Sequence, residues 1–373
     1  MYYRLVKEVR ELYECLGDEL SQKIFWVRLA LDADLSIENT MQILQLNPHF
    51  RQEQLEQLRT WKETLRRLRE SGKKFVLYGT GGRGQELASA LLRSGVEFYC
   101  FCGRRGPAGF PDGLMGKPVI GPDELFRCAE DVYVSICAGG RSYSEIERLL
   151  GEHGFPQDHI LRFFECSTPQ SMYFEFPEQY RPGTAFIDAG CYDCEDDYRF
   201  VDWSKGRYSS IFAFEPDPEQ YAECERRLGC RSIRDIRMIQ AGLANRPGTV
   251  EFVSKGAGGS RIVQESTDSW LGRGREQARI SIQILALDDV VTEPVGFIKM
   301  DIEGAELSAL QGAAGIITRD RPFLAISVYH KPGDTLAIMG YLHELVPEYR
   351  FSLRHYGPLF YETVLYAAVD WQN

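Results

Sequence analysis

The chain has 373 residues, 44% hydrophobic and 26% charged, which is ordinary for a globular enzyme and long enough for two domains. Its net charge of −11 argues against a nucleic-acid partner, which would call for a basic footprint. No run of about eighteen apolar residues suggests a membrane span, and the N-terminus M-Y-Y-R-L-V-K-E-V-R lacks a secretory apolar core, so a cytoplasmic protein is expected.

Residues 1–70 read as a helical region. Leu5, Val9, Leu12 and Leu16 keep one helical stripe, Leu20, Ile24, Val27 and Leu31 a second, and Thr60 to Arg69 is charged and helix-favouring. Packing, or the dimer contact of a homodimer, is the expected role. Residues 71–168 read as a small Rossmann-like unit. The strand Phe75–Tyr78 runs into G-T-G-G-R-G, which sets Gly79, Gly81 and Gly84 in the G-x-G-x-x-G pattern before a helix. Such glycines let backbone N–H groups approach a pyrophosphate. The acidic residue that would hold a ribose after the second strand is missing, and F-Y-C-F-C-G-R-R stands there instead. Arg104 and Arg105 are either phosphate contacts or solvated charges, and Ala138-Gly139-Gly140-Arg141 offers a second loop at the same sheet edge. Two readings stand: a nucleotide or nucleotide-sugar site, or a structural domain with no ligand.

Residues 169–183, rich in proline and aromatics, read as a linker, and 184–373 as a second α/β series. Strands are expected at Phe186–Ile187, Ser210–Phe214, Met238–Gln240, Gly248–Val253, Ile280–Leu287, Phe297–Met300 and Phe323–Val328, closed by an antiparallel pair at Tyr349–His355 and Thr363–Val369. The stretch I-K-M-D-I-E-G-A-E-L-S-A-L-Q-G-A at 298–313 ends one buried strand and opens a helix. Asp301, Glu303 and Glu306 therefore fall at the strand–helix crevice where open α/β sheets bind ligands; Glu303 and Glu306 also suit a first helical turn by charge alone. The ten cysteines are scattered, so reduced thiols are expected. Cys191 and Cys194 form one C-x-x-C, but with no second pair at metal-ligand spacing a zinc site is not expected.

The second half is similar to the FkbM family of methyltransferases. F-I-D-A-G at 186–190, A-F-E-P-D-P at 213–218, I-K-M-D-I-E-G-A-E at 298–306, S-V-Y-H-K at 327–331, and L-R-H-Y and E-T-V-L-Y-A near the C-terminus carry the resemblance. The first half more loosely resembles the helical and Rossmann-like extension found before some members. The resemblance implies a mixed sheet, S-adenosylmethionine as cofactor, and O-methyl transfer to a sugar, glycan or polyhydroxylated metabolite, itself nucleotide-linked if the first domain recognises a nucleotide. Asp188 and Gly190 would lie by the methionine part, Glu215 would accept from both ribose hydroxyls, Asp217 would orient the loop or approach the adenosine, and Gly242 and Leu243 would hold the adenine. Asp301 would lie beside the methyl group and His330 would be the base; alternatively Asp301, Glu303 and His330 would hold a divalent cation. Ser260 and Arg261, after the glycines at 256–259, would approach the acceptor or form a hairpin tip. One departure stands out: Cys194 occupies a glycine position, where a side chain would crowd the cofactor if the backbone needs positive φ. Competing readings are an inactive methyltransferase-fold scaffold and a nicotinamide enzyme centred on Gly79, Gly81 and Gly84.

Overall fold

The computed structural model describes residues 2–34, 36–50, 52–93, 95–104, 106–111, 113–138, 140–162, 169–253, 261–262, 279–357, 361–369 and 371. Ser260, the glycines at 256–259, Arg105 and Gly139 lie outside them. The chain divides into two compact units. One comprises residues 34–162 and carries five parallel strands: β1 (Lys74–Tyr78), β2 (Cys100–Cys102), β3 (Val119–Ile120), β4 (Val132–Ile136) and β5 (Ile160–Arg162). Their order is β3-β2-β1-β4-β5, so the glycine loop after β1 stands where the strand order reverses.

The other unit holds residues 2–33 and those from 169 onward. Its strands are β6 (Ala185–Ala189), β7 (Ile211–Phe214), β8 (Ile236–Ile239), β9 (Gly242–Leu243), β10 (Gly248–Val253), β11 (Arg261–Ile262), β12 (Arg279–Leu285), β13 (Val295–Met300), β14 (Phe323–Ser327), β15 (Arg350–His355) and β16 (Thr363–Ala368). Seven build the main sheet in the order β15-β16-β14-β13-β6-β7-β8, all parallel except β16, which runs antiparallel to β14 and β15. Four more, β11-β10-β12-β9, form a small sheet beside it. Strands β6 and β13 are buried at every residue, as parallel strands covered on both faces must be, which is why A-F-I-D-A and V-G-F-I-K-M show no alternation. Phe186 stacks on Phe200 with ring centroids 4.0 Å apart, and Phe297 stacks on Phe323 at 5.0 Å, anchoring one face of the sheet.

Two expected boundaries shift. The helical region does not stand apart as 1–70: the helix Glu19–Ala33 packs on β15, whereas Met41, Leu44 and Leu68 belong to the core of the Rossmann-like unit. The reason is polar as well as apolar. Asp18 accepts from Ser21 N at 2.8 Å and pairs with Arg354 at 3.2 Å, and Ser21 Oγ accepts from Leu353 N at 2.9 Å. Cys15 O and Gly17 N also bond to Phe351, so the outer edge of β15 is covered. Nor is 169–183 a free linker, because Tyr173, Phe174 and Tyr180 are built into the core against the main sheet, with Phe186, Phe297 and Tyr366. Among the described residues, no helix is long and apolar enough to cross a membrane.

Candidate active site

The carboxyl ends of β6, β7 and β13 border a cavity of about 460 Å³. It spans the point where the main sheet reverses its strand order, between β6 and β13. Eight acidic residues line it (Asp193, Glu195, Asp196, Glu215, Asp217, Asp301, Glu303 and Glu362) against two basic ones, Arg199 and Lys299. That balance favours a ligand bearing positive charge.

Glu215 follows β7 and is 6% exposed. Its Oε2 accepts from Tyr192 N at 3.1 Å and its Oε1 from Asp217 N at 2.8 Å, so both oxygens are fixed. Burial pushes its carboxyl up to about 7, against the pull of these backbone donors. Asp217 is fully buried and caps the helix Pro218–Cys230 by accepting from Glu219 N at 3.0 Å. It orients the loop, one of its two expected roles.

Behind the loop after β6 stands a buried lysine. Lys299, on β13, is 2% exposed and reaches Asp188 Oδ1 at 2.9 Å, Gly190 O at 2.8 Å and Asp196 at 3.4 Å. Burial disfavours its charge, but Asp188, Asp196 and Asp301 outweigh that and raise its pKa. Asp188 itself is fully buried and is not part of the cavity lining. The expected cofactor contact is therefore corrected: Asp188 positions Lys299, which lines the cavity. Gly190 has φ 83°, and a Cβ there would sit 2.1 Å from Asp301 O, so the two loops touch through a position only glycine fills.

Cys194 does adopt the glycine-like backbone, with φ 59°. The feared crowding does not follow, because its side chain is fully buried against Met238, with Sγ 3.8 Å from the thioether sulfur, and is not part of the lining. Gly242 and Leu243 also line the cavity, carried by β9 pairing with β12, and Phe252 and Ile282 line it too.

At the end of β13, Asp301 Oδ2 accepts from Tyr173 Oη at 2.5 Å and from Tyr329 Oη at 3.4 Å. His330 Nε2 lies 3.3 Å from Asp301 and 3.6 Å from Glu303, and its Nδ1 lies 2.9 Å from Glu306. Three carboxylates thus surround one imidazole. Burial would favour the neutral ring, but Glu306, then Asp301 and Glu303, push its pKa up to about 10. His330 is therefore held as imidazolium, and it stands behind Asp301 outside the cavity lining. Expecting it to be the base is corrected on both grounds. Glu306 earns its place by closing the turn, accepting from Ile302 N at 2.9 Å and Gly304 N at 3.3 Å. Among the described residues, the carboxylate and imidazole atoms that converge for a cation belong to Asp301, Glu306 and His330, all within 4.8 Å of one another; Glu303 is not in that set. Glu362, just before β16, faces the same end of the cavity, and burial followed by the charge of Asp301 pushes its carboxyl up to about 8.

In the other unit, a Cβ on Gly79 would meet Cys137 O at 2.7 Å and one on Gly84 would meet Gly79 O at 2.0 Å, so these glycines pack the loop against its own fold. Gly81 faces open space. Arg104 is exposed and pairs with Glu145 at 3.5 Å, as a solvated loop charge does.

Residues 188–356 match the model of the Methyltransferase FkbM domain. Over that stretch the chain is similar to FkbM methyltransferases. The chain is also similar to the 2-O-methyltransferase NoeI of Sinorhizobium fredii (strain NBRC 101917 / NGR234), 26% identical over 157 residues, which span 38% of this chain and 62% of that relative's length. Among solved structures, methyltransferase FkbM from Methylobacillus flagellatus KT is 20% identical, covering 94% of this chain and 99% of that one, with a TM-score of 0.49. An O-methyltransferase from Bacillus cereus, in complex with SAH, is 12% identical over 62% of this chain and 92% of that one, with a TM-score of 0.32.

Four residues of the site escaped sequence reasoning: Tyr173, Lys299, Glu306 as a turn-closing and His330-binding acid, and Glu362. Lys299 carried a usable signal, since a lysine inside a fully buried strand must have a charged partner. Tyr173 and Glu362 carried none, because each reaches the site from far away in the chain.

Proposed function

We propose that the cavity binds S-adenosylmethionine and that the protein transfers its methyl group to a hydroxyl oxygen of a sugar, glycan or other polyhydroxylated acceptor. The observation that carries the reading is Glu215, a buried carboxylate at the tip of β7 whose oxygens are already oriented to accept from a vicinal diol. The excess of acidic residues suits a sulfonium, and the match of residues 188–356 to the FkbM domain model supports methyl transfer. NoeI, named a 2-O-methyltransferase, supports oxygen as the acceptor atom.

The bound cofactor supplies an electrophilic methyl group. The chain supplies position and a proton acceptor. Asp301, fixed by Tyr173 and Tyr329, borders the space beside Glu303 and Glu362. With His330 already protonated, the acceptor's proton passes to Glu362, whose elevated pKa suits a base working near neutrality. The test is transfer of labelled methyl from S-adenosylmethionine to a panel of free and nucleotide-linked sugars, read by mass spectrometry. Glu362→Gln should slow transfer by about 100-fold or more while cofactor binding persists; equal rates would exclude Glu362 as the base.

A second reading has its own geometric support. Asp301, Glu306 and His330 offer ligand atoms within 4.8 Å of one another, a set able to take a divalent cation that would bind acceptor oxygens. Transfer abolished by a chelator and restored by magnesium would favour it over the protonated His330.

A further inference from the structure

We propose that Cys191, Cys194 and Cys224 hold a thiophilic divalent metal ion, zinc by preference, in a closed site that clamps the loop carrying Tyr192. The sequence showed one C-x-x-C and no second pair. The fold supplies the missing ligand, because Cys224 on the helix Pro218–Cys230 comes to the back of that loop. The three sulfurs all lie within 4.8 Å of one another. Zinc binds thiolates at about 2.3 Å, which at tetrahedral angles sets sulfurs about 3.8 Å apart, so a small contraction closes the site.

Burial and charge select the ion. Cys194 and Cys224 are fully buried and Cys191, which borders the cavity, is 3% exposed, as suits a structural site. Met238 Sδ, 3.8 Å from Cys194 Sγ, adds a soft donor on one side, and Tyr192 O lies 3.2 Å from Cys224 Sγ on another. Asp188 and Asp197 are both fully buried nearby, and among the described residues neither Asp197 oxygen has a hydrogen-bond partner. Thiolates added to that surrounding need a compensating cation, and a divalent ion leaves less net negative charge than a monovalent one.

The consequence falls on the cavity. Cys191 and Cys194 bracket Tyr192, whose N–H holds Glu215. Tyr192 and Cys194 both have positive φ, at 50° and 59°, a conformation that non-glycine residues resist. A metal bonded on either side of Tyr192 holds that conformation in place. The coupling to cofactor affinity rests on the function proposed above, whereas metal binding does not.

The test begins with the full-length protein, reduced, loaded with zinc chloride, passed over a weakly chelating resin and assayed by mass spectrometry for metal. About one zinc per chain is expected, falling below about a tenth in Cys224→Ser and unchanged in His330→Gln. Because the serine variant is open to misfolding, the wild type is also examined alone: cadmium loading should give a thiolate charge-transfer band, and zinc should protect three thiols from alkylation. A folded wild type that retains no zinc would overturn the site, as would zinc retained in folded Cys224→Ser, or a mass lower by two hydrogens that marks a disulfide instead. Removing zinc should weaken S-adenosylmethionine binding at least about 5-fold; unchanged affinity would refute the clamp. Zinc bound at unit stoichiometry with no cofactor binding at all would leave the metal site standing and refute the proposed function instead.

Discussion

Lys299→Met removes the cation bonded to Asp188 and to the carbonyl of Gly190. Methionine matches the lysine stem in volume, so the perturbation is electrical. Breaking a buried pair by deleting one partner costs about 3–5 kcal/mol, because the other charge stays behind. For a unit of this size that is roughly 6–20 °C in melting temperature. The pH dependence fixes the cause. Even beside Lys299, burial raises the Asp188 carboxyl from 3.8 to about 6. The folded state therefore holds a proton that the unfolded state has lost, and stability falls as pH rises through that window. Without Lys299 the folded value climbs further and the window extends upward, so the penalty should be smallest near pH 4 and grow above pH 6. Calorimetric melts of wild type, Lys299→Met and Lys299→Met/Asp188→Asn across that range provide the assay. Adding Asp188→Asn should recover most of the loss. A single variant within about 1 kcal/mol of wild type at pH 7.5, or a penalty indifferent to pH, would refute the reasoning.

Three other outcomes follow from the same geometry. A diol needs the ionised Glu215, whose carboxyl sits near 7, so S-adenosylmethionine affinity should rise with pH between about 6 and 8 and then level, as read by titration at each pH. His330 should titrate near 10 by NMR, and Glu306→Gln should lower that value, because Glu306 is the strongest of the influences raising it. The sign for stability is the usual one for a raised histidine: its contribution is complete below about 6.5 and lost as pH rises through 10. Gly190→Ala combines a positive φ with a Cβ 2.1 Å from Asp301 O, so cofactor affinity should drop by about 100-fold or more in the folded variant, measured by the same titration.

The strand-end acids were legible because a parallel strand buried on both faces leaves an uninterrupted apolar run, and Asp188, Glu215 and Asp301 each stand where such a run stops. What those acids touch was not legible. Asp188 and Asp301 look equivalent in sequence, yet one is sealed behind Lys299 and the other opens on the cavity. His330 read as a neutral base because spacing reports which residues meet at a sheet edge and not the sum of their charges; three carboxylates around one ring reverse its role. Cys194 looked like damage to a glycine loop. The backbone there is indeed left-handed, but the thiol turns to the core, beside a cysteine thirty residues on that no local motif connects to it. The division of the first 70 residues was hidden for a similar reason, since Asp18 and Ser21 find their partners on β15 at the far end of the chain.

The central claim is that the cavity at the ends of β6, β7 and β13 binds S-adenosylmethionine through Glu215. Calorimetric titration of the cofactor into wild type and Glu215→Ala tests it most directly. Micromolar binding that the substitution weakens by about tenfold or more is the predicted result. A folded wild type that binds nothing, or a variant that binds as tightly as wild type, would contradict it.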